Sequence, residues 1–393
     1  MRAERNHIDI LTFIAVLTLM TLSVGIVYSA SATWGLIKLR GSDWLLGSHA
    51  LKVVLGFIVM LVMMQVDYHV YKRVSKILLF VMVILLAVTL KFGTGGEEKH
   101  ATRWLRIAGV GIQPAEFAKY ALIVHLAVLF AEKKELIRDF KAGFLPLMIW
   151  VAAVTGLVLL QPNFSNGAMI FGLSIVMLYI GRARLWHIGA SIAALVPLLT
   201  LYMMSAEYRR IRIVNFFTGA SSSGGTAQHQ LLQGIIGFGN GGIFGVGPGA
   251  SRQRDLFLPE SYGDFVFSII GEEYGLIGTL FILLLFLLIM ARGMKIAKYA
   301  RDEFGRYLAL GITLSVTLYA LVNAGVTLGI LPTTGLPMPF MSYGGSSMLV
   351  SAAAIGVLLN ISAQTDLRPR LAPGAGSIRP LQPSQTPAVG KVY

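Results

Sequence analysis

Hydrophobic residues make up 55% of this chain and charged residues only 13%, and apolar runs of membrane-spanning length recur from end to end. These observations predict an all-α integral membrane protein with about ten transmembrane helices and a long extracytoplasmic loop between the seventh and eighth. Soluble domains carry about 25% charged residues, and the even spread of the apolar runs excludes two or three of them. The mean hydropathy of +0.71 agrees.

The first run, 9–30, follows Arg2 and Arg5 and ends in Ala30-Ser31-Ala32, which mimics a signal-peptidase site. About 20 apolar residues exceed a signal core and match one span, so a retained helix is expected. Further spans are read at 50–66, 75–91, 114–131, 143–160, 167–181, 185–204, 266–290, 307–329 and 345–364. Every second connection is short and basic: VDYHVYKRVSK, EKKELIRDFK, GRAR and RGMKIAKYARDEFGR. The positive-inside rule places these loops, and with an even span count both termini, in the cytoplasm. Residues 1–365 read as one polytopic domain, 205–264 as its large outer loop, and the Pro-, Gly- and Ser-rich 366–393 as a disordered cytoplasmic tail. The net charge of +14 fits that bias and attraction to anionic headgroups; a polyanionic substrate such as a lipid pyrophosphate is the sharper reading. No basic stripe carries interleaved aromatics, which argues against nucleic acid. Without cysteine, disulfides and thiolate metal sites are absent.

Four outer segments break the apolar pattern. Residues 92–113 include GEEKHATRWLRIAGVGIQ, and QPNFSNG at 161–167 has the composition of a re-entrant turn. The loop 205–264 is far longer than an ordinary connection. Residues 331–345 (LPTTGLPMPFMSYGG) hold three prolines and three glycines. Irregular backbone near membrane depth persists only where protein or a wet cavity satisfies it, so four such breaks on one face suggest a shared cavity.

Within the long loop, AEYRRIRIVNFF reads as an interfacial amphipathic helix, with Arg209, Arg210 and Arg212 suited to a phosphorylated headgroup. Gly234 to Gly249 holds eight glycines in sixteen residues, which let backbone pack closely. Its GxGxxG match lacks a βαβ setting and so carries no dinucleotide reading. Asp264 stands where polar loop meets the eighth span. A carboxylate there is partly desolvated and suited to accept a proton near neutral pH; a helix N-cap is the structural alternative. Glu272 and Glu273 lie inside the span and are candidates because intramembrane carboxylates are costly. Glu116 and Lys119 share one face of the fourth helix, as a structural ion pair or, with Lys119 and Arg103 together, as neutralisers of an anionic substrate. Pro114 suits the first turn of that helix. No HExxH or histidine cluster is present, which argues against a transition metal. No cofactor is fixed, although a divalent cation such as Mg²⁺ held by substrate phosphates would leave little trace.

Together these segments resemble the SEDS family (shape, elongation, division and sporulation proteins), which includes FtsW and RodA. The matching pieces are Tyr28-Ser29-Ala30-Ser31, Arg103-Trp104, Gln113-Pro114-x-Glu116-Phe117-x-Lys119 and Gln161-Pro162. Further along come Gly245-Val246-Gly247, Leu258-Pro259-Glu260, Asp264-Phe265, Glu272-Glu273-x-Gly275 and Pro339-x-x-Ser342-Tyr343-Gly344-Gly345-Ser346-Ser347. They keep the family's order over about residues 9–364, and GVGPGASRQRDLFLPE looks more like the division branch. Asn163 departs from the family's frequent Asp after Gln-Pro. His229-Gln230, Gln233-Gly234 and Thr334 depart as well.

The resemblance implies a peptidoglycan glycosyltransferase of the bacterial inner membrane, acting at the division septum. It would polymerise lipid II onto a growing glycan strand, with a class B penicillin-binding protein and other division proteins as partners. Asp264 would be the general base, with Arg103, Lys119, Glu116, Gln113 and Ser342 around the substrate. A sugar hydroxyl needs a base. Pyrophosphate needs charge neutralisation rather than protonation, so one carboxylate suffices where glycosidases use two. Competing readings are a lipid II flippase or other transporter, the elongation-type polymerase, and a scaffold that recruits partners. Polar groups clustered at the outer interface favour the enzyme.

Overall fold

The computed structural model describes residues 7–38, 42–95, 102–107, 109–205, 207–218, 226–253, 258 and 262–365. The tail read at 366–393 lies outside the described residues, as do Arg2 and Arg5.

Among the described residues, ten helices correspond to the predicted spans. They are α1 (Ile10–Lys38), α2 (Ser42–Gln65), α3 (His69–Phe92), α4 (Pro114–Lys133), α5 (Leu145–Leu160), α6 (Phe164–Ile180), α7 (Leu185–Met204), α10 (Val266–Lys298), α11 (Glu303–Thr327) and α12 (Gly345–Ala363). Nine are long and apolar enough to cross a membrane, and α6 is a shorter apolar helix. In the long loop lie α8 (Glu207–Thr218), on the predicted amphipathic segment, and α9 (Thr226–Gly241). A small antiparallel hairpin, β1 (Leu105–Ile107) and β2 (Val110–Ile112), precedes α4.

Helices α4, α11 and α12 form the centre and are mostly buried, whereas α7 turns nearly all its residues outward. The sequence of α12 explains its place: Gly, Ser and Ala dominate GSSMLVSAAAIG, and small residues let helix backbones approach where apolar burial gives no drive.

One end of the bundle is tied by polar contacts that fit the basic loops. Asp9, just ahead of α1, receives hydrogen bonds from Thr12 Oγ1 (2.6 Å) and from Arg292 Nε (3.0 Å) at the end of α10, while its own N–H donates to Ser362 Oγ of α12. Nearby, the Tyr68 hydroxyl donates to Asp302 at 2.6 Å, and the Tyr68 N–H to Asn360 at 3.0 Å. The chain start, the α2–α3 and α10–α11 connections and the end of α12 therefore share this end. Burial and the hydrogen bond to Asp302 push the Tyr68 hydroxyl's pKa upward.

Helix α10 is broken at Gly275, whose φ is 64°. The glycine-rich run fills the break. Leu276 and Ile277 donate to the carbonyls of Gly242 and Ile243, and Val246 and Gly247 donate to those of Glu272 and Glu273. Backbone groups freed by the kink thus find internal partners, as a spanning helix requires. A Cβ at Gly275 would stand 2.4 Å from the Gly245 nitrogen, so the two backbones approach only because both residues are glycine. The 161–167 segment forms no re-entrant turn. It is a tight break in which Gln161 ends α5 and Asn163 starts α6, because the apolar helix resumes at Phe164.

Candidate active site

At the opposite end the segments read from the sequence as outer are stitched to one another. Asp264 lies in the turn before α10, whose N-cap is Phe265, so Asp264 does not occupy the cap position. The Asp264 carbonyl accepts a 2.8 Å hydrogen bond from Asn323 Nδ2 of α11, and the same amide donates to the Leu336 carbonyl at 2.8 Å. Its carboxylate faces the 331–345 segment, since a Cβ built at Gly335 would come 3.1 Å from Asp264 Oδ2. Tyr343 closes the layer: its N–H donates to the Tyr262 carbonyl at 2.9 Å, and the two rings meet edge-on at 5.6 Å.

Ser342 staples this segment. Its hydroxyl accepts from the Met338 N–H at 2.8 Å, closing a turn whose Phe340 is buried at a left-handed φ of 64°. Such a conformation costs on the order of 1–3 kcal/mol and persists where packing over-determines it. Gln113 acts through its backbone, donating at 3.0 Å to Ser346 Oγ in the first turn of α12. Arg103 reaches the Pro162 carbonyl, with Nε at 3.1 Å, and so joins the first two outer segments.

Glu116 and Lys119 are drawn together elsewhere, inside the bundle. Lys119 Nζ donates to Glu116 Oε2 at 2.9 Å, with side-chain exposures of 3% and 1%. The ammonium sits 3.8 Å over the Tyr319 ring. Asn166 completes the set, donating to Glu116 at 3.3 Å and accepting from the Tyr319 hydroxyl at 2.6 Å. An anion reaching Lys119 would have to displace both Glu116 and the Tyr319 ring. The ion pair is a clamp among α4, α6 and α11.

Glu272 and Glu273 also have internal partners. Glu272 accepts from the Ser251 hydroxyl and from the backbone N–H groups of Arg252 and Gln253, both at 3.2 Å. Glu273 accepts from Ser29 of α1. A cavity of about 570 Å³ opens beside the α10 break, lined by residues that include Phe244, Glu273, Tyr274 and Phe281.

Sequence reasoning missed Lys52. Its ammonium lies 3.7 Å over the Tyr343 ring, close to Gly345 at the start of α12. Ser48 holds the Tyr343 hydroxyl at 3.1 Å. Among the described residues Lys52 has no carboxylate at ion-pair distance. The available signal was a lone lysine in the second span, near its outer end. Among the described residues no three His, Asp or Glu side chains gather as a metal-binding group.

Fold and site define a multi-pass helical membrane protein in which several irregular segments, with Asp264 among them, meet at one end of the bundle. The family model of cell cycle proteins that covers FtsW, RodA and SpoVE matches residues 9–367, and the chain belongs to that family. It is 38% identical over 361 residues to a probable peptidoglycan glycosyltransferase FtsW of Trichlorobacter lovleyi, covering 92% of this chain and 94% of that one. It is 36% identical over 363 residues to stage V sporulation protein E of Bacillus subtilis, covering 92% and 99%. Among solved structures, a peptidoglycan synthase complex described for its coordination of polymerization and crosslinking contains a chain that matches with a TM-score of 0.73 at 24% identity, covering 90% of this chain and 97% of that one. Rod shape determining protein RodA of Thermus thermophilus matches at 0.67 and 23%, covering 90% and 96%. Both show the same all-α membrane fold.

Proposed function

We propose that this protein is a peptidoglycan glycosyltransferase of the cell-division type, polymerising lipid II at the outer face of the cytoplasmic membrane with Asp264 as general base. The observation that carries this reading is the position of Asp264 where the outer segments meet: Asn323 holds its main-chain carbonyl, and its carboxylate faces Gly335. The names of its 36–38% identical relatives support the chemistry and the division branch over the elongation branch.

In the reaction, Asp264 removes the proton of the acceptor sugar hydroxyl as its oxygen attacks the anomeric carbon of the donor. The bond from that carbon to the lipid diphosphate breaks, and the diphosphate leaves with the electron pair. One direct displacement inverts the anomeric centre. A positioned base contributes about 10²–10⁴-fold. Lys52 and Arg103 supply positive charge for the diphosphate. Gln113 and Ser342 hold the surrounding backbone, and the Glu116–Lys119 pair fixes α4 beneath it. A flippase would place its polar groups near the bilayer midplane, whereas those named here gather at helix ends and in the outer segments.

On this reading the end carrying Asp9, Tyr68 and Arg292 is the cytoplasmic one, because the basic loops belong to it, and both termini with the 366–393 tail would lie on that side. A class B penicillin-binding protein would crosslink the strands, with the pair working at the septum alongside other division proteins.

The test is polymerisation of labelled lipid II by the purified protein with its class B partner, comparing wild type with Asp264→Asn. Glycan strands from the wild type and none from a folded Asp264→Asn variant are expected. Equal polymerisation by both would remove Asp264 from the chemistry, and no product from either would favour a transporter.

A further inference from the structure

Two helices on the basic-loop end finish in an unusual way. Helix α6 ends with Gly181 as its C-cap, and the next residue, Arg182, has φ of 65°. Hydrogen bonds from Arg182 to Tyr179 and from Ala183 to Leu178 close the helix end. Glycine is the unstrained residue at such a left-handed position. Helix α4 has Lys134 as its C-cap, with φ of 44°, again a long cationic side chain where glycine is favoured. A cation near a helix C-terminus is favourable, but one residue earlier it would gain that without left-handed backbone.

Both residues line one cavity of about 260 Å³ with Phe130, Glu135, Gly181, Glu303, Arg306 and Tyr307. Phe130 and Tyr307, 5.2 Å apart between ring centroids, form its floor. Gly181 keeps it open, because a Cβ there would stand 2.7 Å from the Phe130 ring. The two carboxylates on the rim have cationic partners: Glu303 lies 3.5 Å from Arg306, and Glu135 3.5 Å from Arg138. Among the described residues Arg182 and Lys134 have no carboxylate at ion-pair distance.

We propose that this cavity is a binding site for a phosphate group, of the kind carried by an anionic phospholipid headgroup or a small soluble phosphate ester, with Arg182 and Lys134 as its ligands. Arginine's planar fork matches phosphate oxygens in pairs, and strain held at a cap is a recurring mark of a binding position. The segments 134–138 and 181–184 and the first turn of α11 meet here, so an occupied cavity would brace α4, α6 and α11 from the end opposite Asp264.

The test is thermal unfolding of the full-length protein, followed by tryptophan fluorescence, in phosphatidylcholine nanodiscs with and without phosphatidylglycerol. Binding to the folded state alone raises the midpoint. Phosphatidylglycerol is expected to raise the wild-type midpoint. Arg182→Gly and Lys134→Gly, which relieve left-handed strain, are expected to unfold no lower than wild type in neutral discs and to lose most of that rise. Arg184→Gln, an exposed neighbour outside the cavity, is expected to keep it. Glycerol phosphate producing the same Arg182-dependent rise in neutral discs would assign the site to a soluble ester. Absence of any rise with either probe, a full rise in Arg182→Gly, or an equal loss in Arg184→Gln would overturn the proposal.

Discussion

The side-chain amide of Asn323 donates to the main-chain carbonyls of Asp264 and Leu336, each at 2.8 Å. One buried residue of α11 thus holds together two outer segments that no local pattern relates. An Asn323→Asp carboxylate cannot donate either bond. The loss is expected to be about 2–3 kcal/mol of stability and at least tenfold in polymerisation rate. Unfolding midpoints and single-turnover strand formation would check this; unchanged turnover in a loosened protein would separate Asn323 from Asp264.

Lys52 lies over Tyr343, and among the described residues no carboxylate is at ion-pair distance from it. If it neutralises the diphosphate, Lys52→Met should raise KM for lipid II on the order of tenfold, the scale of one charge-assisted contact, while Lys52→Arg keeps most of the affinity. A purely structural lysine would lower the unfolding midpoint in both variants and leave KM alone.

The buried Glu116–Lys119 pair makes a different prediction. Glu116→Gln leaves an ammonium beneath the Tyr319 ring without its counter-charge, and breaking a buried pair from one side costs about 3–5 kcal/mol. The double change Glu116→Gln with Lys119→Met removes the stranded charge and should recover much of the loss. A double-mutant cycle on thermal stability measures the coupling.

Asp9 gives a pH signature. Burial alone would raise its carboxyl, but hydrogen bonds from Arg292 and Thr12 outweigh it and hold the pKa below the ordinary 3.8. A carboxylate depressed in the folded state stabilises above its unfolded pKa, and that contribution is lost as pH falls through the folded value. Asp9→Asn should therefore unfold earlier than wild type at pH 7, and the gap should close on acidification below about pH 4. A gap constant across that range would assign Asp9 no electrostatic part.

Legibility followed range. The helices at 9–30 and 345–364 could be read because twenty apolar residues have one stable answer in a bilayer, and basic loops report their own side. The amphipathic α8 and the close-packing glycines were likewise local facts. Asp264 stood out because an acidic residue at the mouth of an apolar run is conspicuous. Lys119 was equally conspicuous, yet its burial under Tyr319 depends on a residue of another helix. Glu272 read as a costly intramembrane carboxylate, and the groups that satisfy it come from residues 251–253 of the preceding loop.

By itself the sequence determined the all-α membrane class and where the apolar helices lie along the chain, both consequences of free-energy differences between water and lipid summed residue by residue. The tertiary structure alone decided which polar groups are partners and which remain available for a substrate. Gln113 meets Ser346 across 233 positions, and Lys52 finds Tyr343 from the far end of the chain. Such contacts depend on how the helices pack, and the small residues, the Gly275 break and the strained turns that set this packing show their effect only when every helix is in place.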